Sequence, residues 1–419
     1  MEGKSMNWQT TLNLIPDGVQ TMSKMPSKHV EGVYPLYLDR GDGAYVYDSS
    51  GKAYIDYTCS LGTILLGHNV PEINRAVMER MQQGVLFGLP HQLETELAEK
   101  INNLIPSAEM MRFLKTGSEA CQAAIRIARA VTGREKIIVC GYFGWHEWFN
   151  WTTPDNKGCM PQQTVKATYN DIDSFTRYFE GDNAAILDIP AAVIIEPYIY
   201  DEPKDNFLTK LRNLCNDYHA LLIFDEIVTG FRTLDYSAQA HFGVKPDLTC
   251  LGKALGNGLP IAVIAGKKEY MKVLQDGCFV SSTWGGELIG IVAALKVLEI
   301  IEKEGIIEHI WRMGDQFINE FRRIAEGLEG VGIRGYPCRT FFDFPTEAHK
   351  SLFWQECLLR GVFFGYAQFI NFAHKQQEID RTVDVMNQAM KMVKSYWEEP
   401  EKGLKGKVAQ ATLRLITTQ

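Results

Sequence analysis

The feature that most limits how this chain can fold is a series of short runs at 113–114, 136–140, 191–195, 220–224 and 261–265, apolar but for Lys136 at the start of the second, separated by stretches of helical periodicity. A strand with one wet face alternates apolar and polar residues, whereas a strand covered on both faces is apolar throughout. Runs of this kind alternating with helices predict an α/β fold, a mainly parallel sheet with helices on both sides. Residues 118–131 place Ala120, Ala124, Ile127, Ala128 and Val131 on one helical face, the spacing of a helix that packs on such a sheet.

At 419 residues the chain exceeds one simple core, so two lobes are expected. Near the start, segments 44–47 and 53–57 flank Asp48-Ser-Ser-Gly51, a turn composition that predicts a hairpin. A long helical stretch over 288–303 ends at Glu304-Gly305, and a fresh α/β pattern follows. A boundary near residue 305 is therefore predicted. The charged, glycine-containing stretch 400–407 is expected to be a mobile surface segment.

Composition narrows the function classes. A hydrophobic fraction of 46% and a charged fraction of 22% are those of an ordinary globular protein. No apolar run is long enough to span a membrane, and the opening MEGKSMNWQTTLN has no apolar centre of a signal peptide, so a cytosolic protein is expected. The Asn150-Trp151-Thr152 sequon carries no weight in that setting. Nine cysteines without a Cys-x-x-Cys pair argue against a disulfide framework or a zinc site. A formal charge of −8 disfavours nucleic acid as a partner.

Three stretches carry chemistry. Ala220-Leu-Leu-Ile-Phe-Asp225 delivers an aspartate at the carboxyl end of a strand, the edge where ligands of open α/β sheets bind; a turn or helix cap is the plain alternative. Leu251-Gly-Lys253-Ala-Leu-Gly-Asn-Gly sets a lysine among apolar residues and glycines. Desolvation there favours the free amine, which condenses with an aldehyde; a lysine reaching to solvent is the alternative. Thr116-Gly117-Ser118-Glu119 opens the amphipathic helix, and a helix N-terminus offers N–H groups to a phosphate. The same four residues also read as a capping box. A phosphate cradle, an amine and a carboxylate for a pyridinium nitrogen are together the demands of pyridoxal 5′-phosphate.

On these stretches and on Gly43-Ala-Tyr-Val-Tyr-Asp48, Leu66-Gly-His-Asn69, Gly141-Tyr-Phe-Gly-Trp145 and Asp225-Glu-Ile-Val-Thr-Gly-Phe-Arg232, the chain resembles the class III aminotransferases of fold type I, nearest the glutamate-1-semialdehyde aminomutase branch. The resemblance runs along nearly the whole sequence. It implies a cofactor-binding large domain over 73–305 and a smaller α+β domain built from both termini, 1–72 and 306–419. It also implies that Lys253 is the Schiff-base lysine, Asp225 faces the pyridine nitrogen, Gly117 and Ser118 hold the phosphate, and Tyr142 stacks on the ring. Thr283 matches a threonine that reaches the phosphate of a neighbouring subunit's cofactor, which implies a homodimer.

The sequence departs from the aminomutase around the substrate. The arginine expected in the early motif is replaced by Lys24, which keeps charge but loses the bidentate fork. The tryptophan expected after Ser60 is Leu61, the usual histidine after Tyr142 is Phe143, and Tyr366 stands where an active-site glutamate is expected. Arg339 is a second candidate for a substrate's acidic end, with a surface arginine as the plain alternative. Amino transfer from a donor to a small aldehyde or keto acceptor is the expected reaction. The alternatives are an intramolecular 2,1-aminomutase and a non-catalytic cofactor-binding homologue, the last disfavoured by Lys253 and Asp225.

Overall fold

Residues 137–140, 192–195 and 221–224 are apolar throughout because successive side chains enter two different cores. Ile137, Val139, Ala192, Ile194, Leu221 and Ile223 pack with the helix Gly117–Thr132. Ile138, Cys140, Val193, Ile195, Leu222 and Phe224 pack on the other face with the helix Phe207–Asp217. A period of two with both faces covered produces the apolar run. A computed structural model describes residues 7–149, 164–180 and 189–410; the sequon at Asn150 lies outside them.

Numbered along the chain, the strands are β1 (Leu38–Asp42), β2 (Tyr45–Asp48), β3 (Ala53–Asp56), β4 (Met110–Leu114), β5 (Ile137–Cys140), β6 (Thr164–Lys166), β7 (Ala192–Ile195), β8 (Leu221–Asp225), β9 (Leu248–Leu251), β10 (Ala262–Gly266), β11 (Gly332–Tyr336), β12 (Arg339–Asp343), β13 (Val362–Phe363) and β14 (Gln368–Phe369). Among the described residues one sheet has the order β4-β10-β9-β8-β7-β5-β6. It is parallel from β9 to β6, and β10 runs antiparallel to both β4 and β9. All five apolar runs contribute to this sheet; β6 and β9 complete it.

The described residues form two compact units, one of 7–61, 67–69 and 310–410, the other of 62–66, 70–149, 164–180 and 189–309. The first holds the β1-β2-β3-β13 and β11-β12-β14 sheets. Its predicted hairpin is β2–β3, and Asp48 closes the turn by accepting from the backbone N–H groups of Ser50 and Lys52 and from the Tyr54 hydroxyl. Tyr57 stacks on His374 at 4.5 Å and on Phe317 at 5.2 Å. Buried Asp56 bonds His68 at 3.0 Å. No helix among the described residues is long and apolar enough to cross a membrane.

The expected mobility of 400–407 is corrected. Pro400–Gly403 forms a helical turn, and the segment is tied to the buried helix Glu347–Leu359. Gln355 Nε2 donates to the Gly403 carbonyl at 2.9 Å, its Oε1 accepts from Lys405 N–H at 2.6 Å, and Ser351 Oγ accepts from Ala409 N–H. Beyond it, the N–H groups of Lys407 and Gln410 donate to the carbonyls of Glu31 and Ser27. Buried polar side chains satisfy the segment's backbone, a pairing that its own composition does not reveal.

Candidate active site

Several chain elements of the second unit deliver their side chains to one cavity of about 300 Å³, whose lining includes Thr63, Lys115, Gly117, Ser118, Cys121, Tyr142, Phe143, Glu196, Asp225 and Lys253. The size suits a small cofactor or ligand. Asp225 ends β8 and is buried. Its Oδ1 accepts from Ile227 N–H at 2.9 Å and its Oδ2 from the Cys121 thiol at 3.6 Å. Burial, followed by the charge of nearby Glu196, raises its carboxyl well above the usual range, while the Ile227 N–H, the Lys253 charge and the thiol oppose that rise.

Lys253 follows β9 and is half-buried. Its φ of 43° lies in the left-handed region, a conformation that costs a non-glycine residue roughly 1–3 kcal/mol and persists where neighbours enforce it. Asn257, also left-handed at φ 43°, lies one turn on. Its Oδ1 accepts from the N–H groups of Leu65 and Leu66, both at 2.8 Å, and so pins the turn after Lys253.

At the N-terminus of the helix Gly117–Thr132 the capping box and the anion cradle coexist. Thr116 Oγ1 accepts from Glu119 N–H, and Glu119 Oε2 accepts from the N–H groups of Thr116 and Lys115. The first-turn N–H groups of Gly117 and Ser118 have no helical partner by position, so they remain for an anion. Ser118 packs against Gly144, and Gly117 against the Ile227 side chain.

The structure thus gathers Lys253, Asp225, Gly117, Ser118 and Tyr142 around one cavity. Phe143, the replacement for the usual histidine, is buried in the same wall. The remaining candidates are not among the lining residues. Thr283 is exposed in the loop before the helix Leu288–Glu304 and is not part of the cavity wall. Lys24, Arg339 and Tyr366 belong to the first unit. Lys24 is exposed in the turn Met22–Lys24. The plain expectation of a surface position for Arg339 is corrected: it is 1% exposed, because β12 carries it inward and its guanidinium lies 5.1 Å over the Phe341 ring. Phe341 also meets Tyr366 edge-on at 5.3 Å.

Sequence reasoning gave no specific place to Glu196, Lys115 or Cys121. Glu196 follows β7 as Asp225 ends β8, is buried, and accepts from Tyr142 N–H at 3.2 Å; its position after an apolar strand was the available signal. Lys115 Nζ pairs with Glu287 at 2.7 Å, and neither it nor Cys121 carries a signal in sequence.

Known proteins share the family and the fold of this chain. The family model for class-III aminotransferases matches residues 27–390. The chain is 36% identical to the 3-aminobutyryl-CoA aminotransferase of Cloacimonas acidaminovorans over 91% of this chain and 95% of that one. It is 34% identical to the glutamate-1-semialdehyde 2,1-aminomutase of Methanothrix thermoacetophila, over 92% and 95%. Its fold matches the PLP internal aldimine form of the Sphingopyxis sp. MTA144 FumI protein with a TM-score of 0.87 at 25% identity, covering 96% of this chain and 97% of that one. It also matches an omega-transaminase from Sphaerobacter thermophilus with a TM-score of 0.83 at 24% identity, over 92% and 97%. The chain belongs to the class-III aminotransferase family, enzymes that work with pyridoxal 5′-phosphate.

Proposed function

We propose that Lys253 anchors pyridoxal 5′-phosphate in this cavity and that the enzyme moves an amino group from an external amino donor to a small aldehyde or keto acceptor. The observation that carries the reading is that Lys253, Asp225 and the first turn of the helix Gly117–Thr132 line one cavity. The residues fit the cofactor: an anion cradle that a β-carbon on Gly144 would crowd, a buried carboxylate for the ring nitrogen, and an amine. When bound, the cofactor supplies a carbonyl carbon for amines and a conjugated cation that takes up the electron pair of a broken substrate bond.

Each residue then has a stated task. Gly117 and Ser118 offer N–H groups to the phosphate. Tyr142 covers the ring face and excludes water. Asp225 holds the proton on the ring nitrogen, which stabilises negative charge developing on the substrate. Lys253 holds the cofactor through its ε-amine and, once released, carries a proton at Nζ as base and then acid.

An external donor is favoured over intramolecular transfer by the departures at Lys24, Leu61 and Tyr366 and by the similarity to an aminotransferase. A 3-aminoacyl thioester therefore joins simple amino acids and amines in the donor panel. Borohydride reduction of the loaded enzyme should fix cofactor to the peptide containing Lys253, and Lys253→Ala should abolish both labelling and turnover. Label on another peptide would defeat the assignment.

Thr283 is assigned to the cofactor phosphate of a second copy in a homodimer. Its exposure supports this, as do Phe279 and Trp284 on the same loop, 72% and 56% exposed. A fully active monomer in light scattering would overturn it. The domain division 1–72, 73–305 and 306–419 and a cytosolic location belong to the same reading. The eight described cysteines form no disulfide among themselves.

A further inference from the structure

We infer that Cys121 is a positioning residue for Asp225: its thiol hydrogen holds the second carboxylate oxygen, so that the carboxylate stays charged and correctly turned toward the cofactor's ring nitrogen. The inference rests on the proposed role of Asp225 and adds a residue outside the motifs that identify the site.

A carboxylate rotates easily about its last torsion, which is broad and two-fold. The backbone fixes one oxygen only, through the Ile227 N–H on Oδ1 at 2.9 Å. The other oxygen, Oδ2, has the Cys121 sulfur at 3.6 Å, the contact distance of a weak S–H donor. Two donors on two oxygens fix the plane that one donor leaves free. Cys121 projects from the first turns of the helix Gly117–Thr132, so the helix that cradles the phosphate also sets the carboxylate.

The charge balance around Asp225 gives the contact its purpose. Burial and the facing charge of Glu196 both drive a proton onto the Asp225 carboxyl, and the Ile227 N–H, the Lys253 charge and, least of the three, the thiol act in the opposite direction. A neutral carboxyl would no longer accept the proton-bearing ring nitrogen as a charged partner. The supporting group is Cys250, the β9 residue paired with Asp225 on β8. It is buried and, with burial and the Asp225 charge, raises the Cys121 thiol, which keeps that thiol protonated as a donor. Each thiol has one hydrogen. That of Cys121 is placed on Asp225 Oδ2, at 3.6 Å.

The test compares pyridoxal 5′-phosphate with its 1-deaza analogue, which keeps the aldehyde and phosphate but carries C–H in place of the ring nitrogen. Full-length chain is stripped of cofactor with hydroxylamine, and affinity for each compound is measured by fluorescence titration. The wild type should prefer the natural cofactor. Cys121→Ala, and Cys121→Val, which refills the space, should each lower that preference about three- to tenfold, the range expected for losing a weak donor to a charged acceptor. Cys121→Ser, which restores a donor, should retain it. Equal weakening of both compounds, an unchanged preference, or a serine variant that behaves like valine would overturn the inference. Asp225→Asn separates the two claims. If it removes the preference while Cys121→Ala does not, only the role of Cys121 fails. If it leaves the preference intact, the assignment of Asp225 to the ring nitrogen fails first.

Discussion

Ser118 and Gly144 pack so closely that a β-carbon on Gly144 would overlap the Ser118 hydroxyl oxygen, and Gly144 has a φ of 91°, a left-handed value. The loop after β5 and the first turn of the helix Gly117–Thr132 can therefore share the cradle only if residue 144 has no side chain.

Gly144→Ala should displace Ser118 and weaken retention of pyridoxal 5′-phosphate on the order of tenfold, about 1.4 kcal/mol. Gly133→Ala is the control. Gly133 also has a positive φ, 67°, but open space around it, so it adds backbone strain of about 1–2 kcal/mol without touching the cradle. Equilibrium dialysis should show a loss for the first variant only, and equal losses would mean that strain, not the Ser118 contact, matters.

His29 gives the first unit a dependence on pH. Burial lowers its folded pKa from 6.5 to about 4, against the Ser23 backbone hydrogen bond. Between those values the unfolded chain binds a proton that the folded chain refuses, so this contribution is complete above pH 6.5 and is lost as pH falls toward 4. His29→Phe preserves the ring stacked on Tyr34 at 4.9 Å and removes the titration. Urea midpoints measured from pH 7 to pH 4 should fall less steeply for the variant, and parallel slopes would contradict the argument.

Gln355 anchors the C-terminal segment at two points, accepting from Lys405 N–H and donating to the Gly403 carbonyl. Gln355→Ala should cost on the order of 1–3 kcal/mol by leaving buried backbone groups unmatched. Hydrogen exchange should rise at 403–409, with the parallel sheet around β8 unaffected. Unchanged protection there would show that the segment is held by other contacts.

The acidic end of the substrate is proposed to involve Arg339, Tyr366 or Lys24. Arg339 and Tyr366 are supported by their common neighbour Phe341. Arg339→Met should raise the KM for an amino acid on the order of tenfold while sparing its decarboxylated amine, since only the former carries the anion. Lys24→Met, at an exposed turn, should alter both compounds little. Equal losses on the acid and the amine would mark structural damage, and no loss on either would remove Arg339 from recognition.

The local chemistry of this protein was legible in its residues, because it depends on short spacings. The apolar run before Asp225 announces a strand buried on both faces, Thr116 to Glu119 announces a capped helix start, and glycines around Lys253 announce a turn. The whole-chain resemblance supplied the roles of those residues. Strand β9 was harder to recognise by pattern because Thr249 interrupts it. That hydroxyl is buried against Gln239 Nε2 at 3.1 Å and against Ser107 Oγ at 2.7 Å, the latter a partner distant along the chain. The same physical reason applies to the docked C-terminal segment and the Cys121 contact on Asp225. In each, a polar group is buried because a partner far away in sequence satisfies it or packs against it, and only the tertiary structure decides which partner arrives.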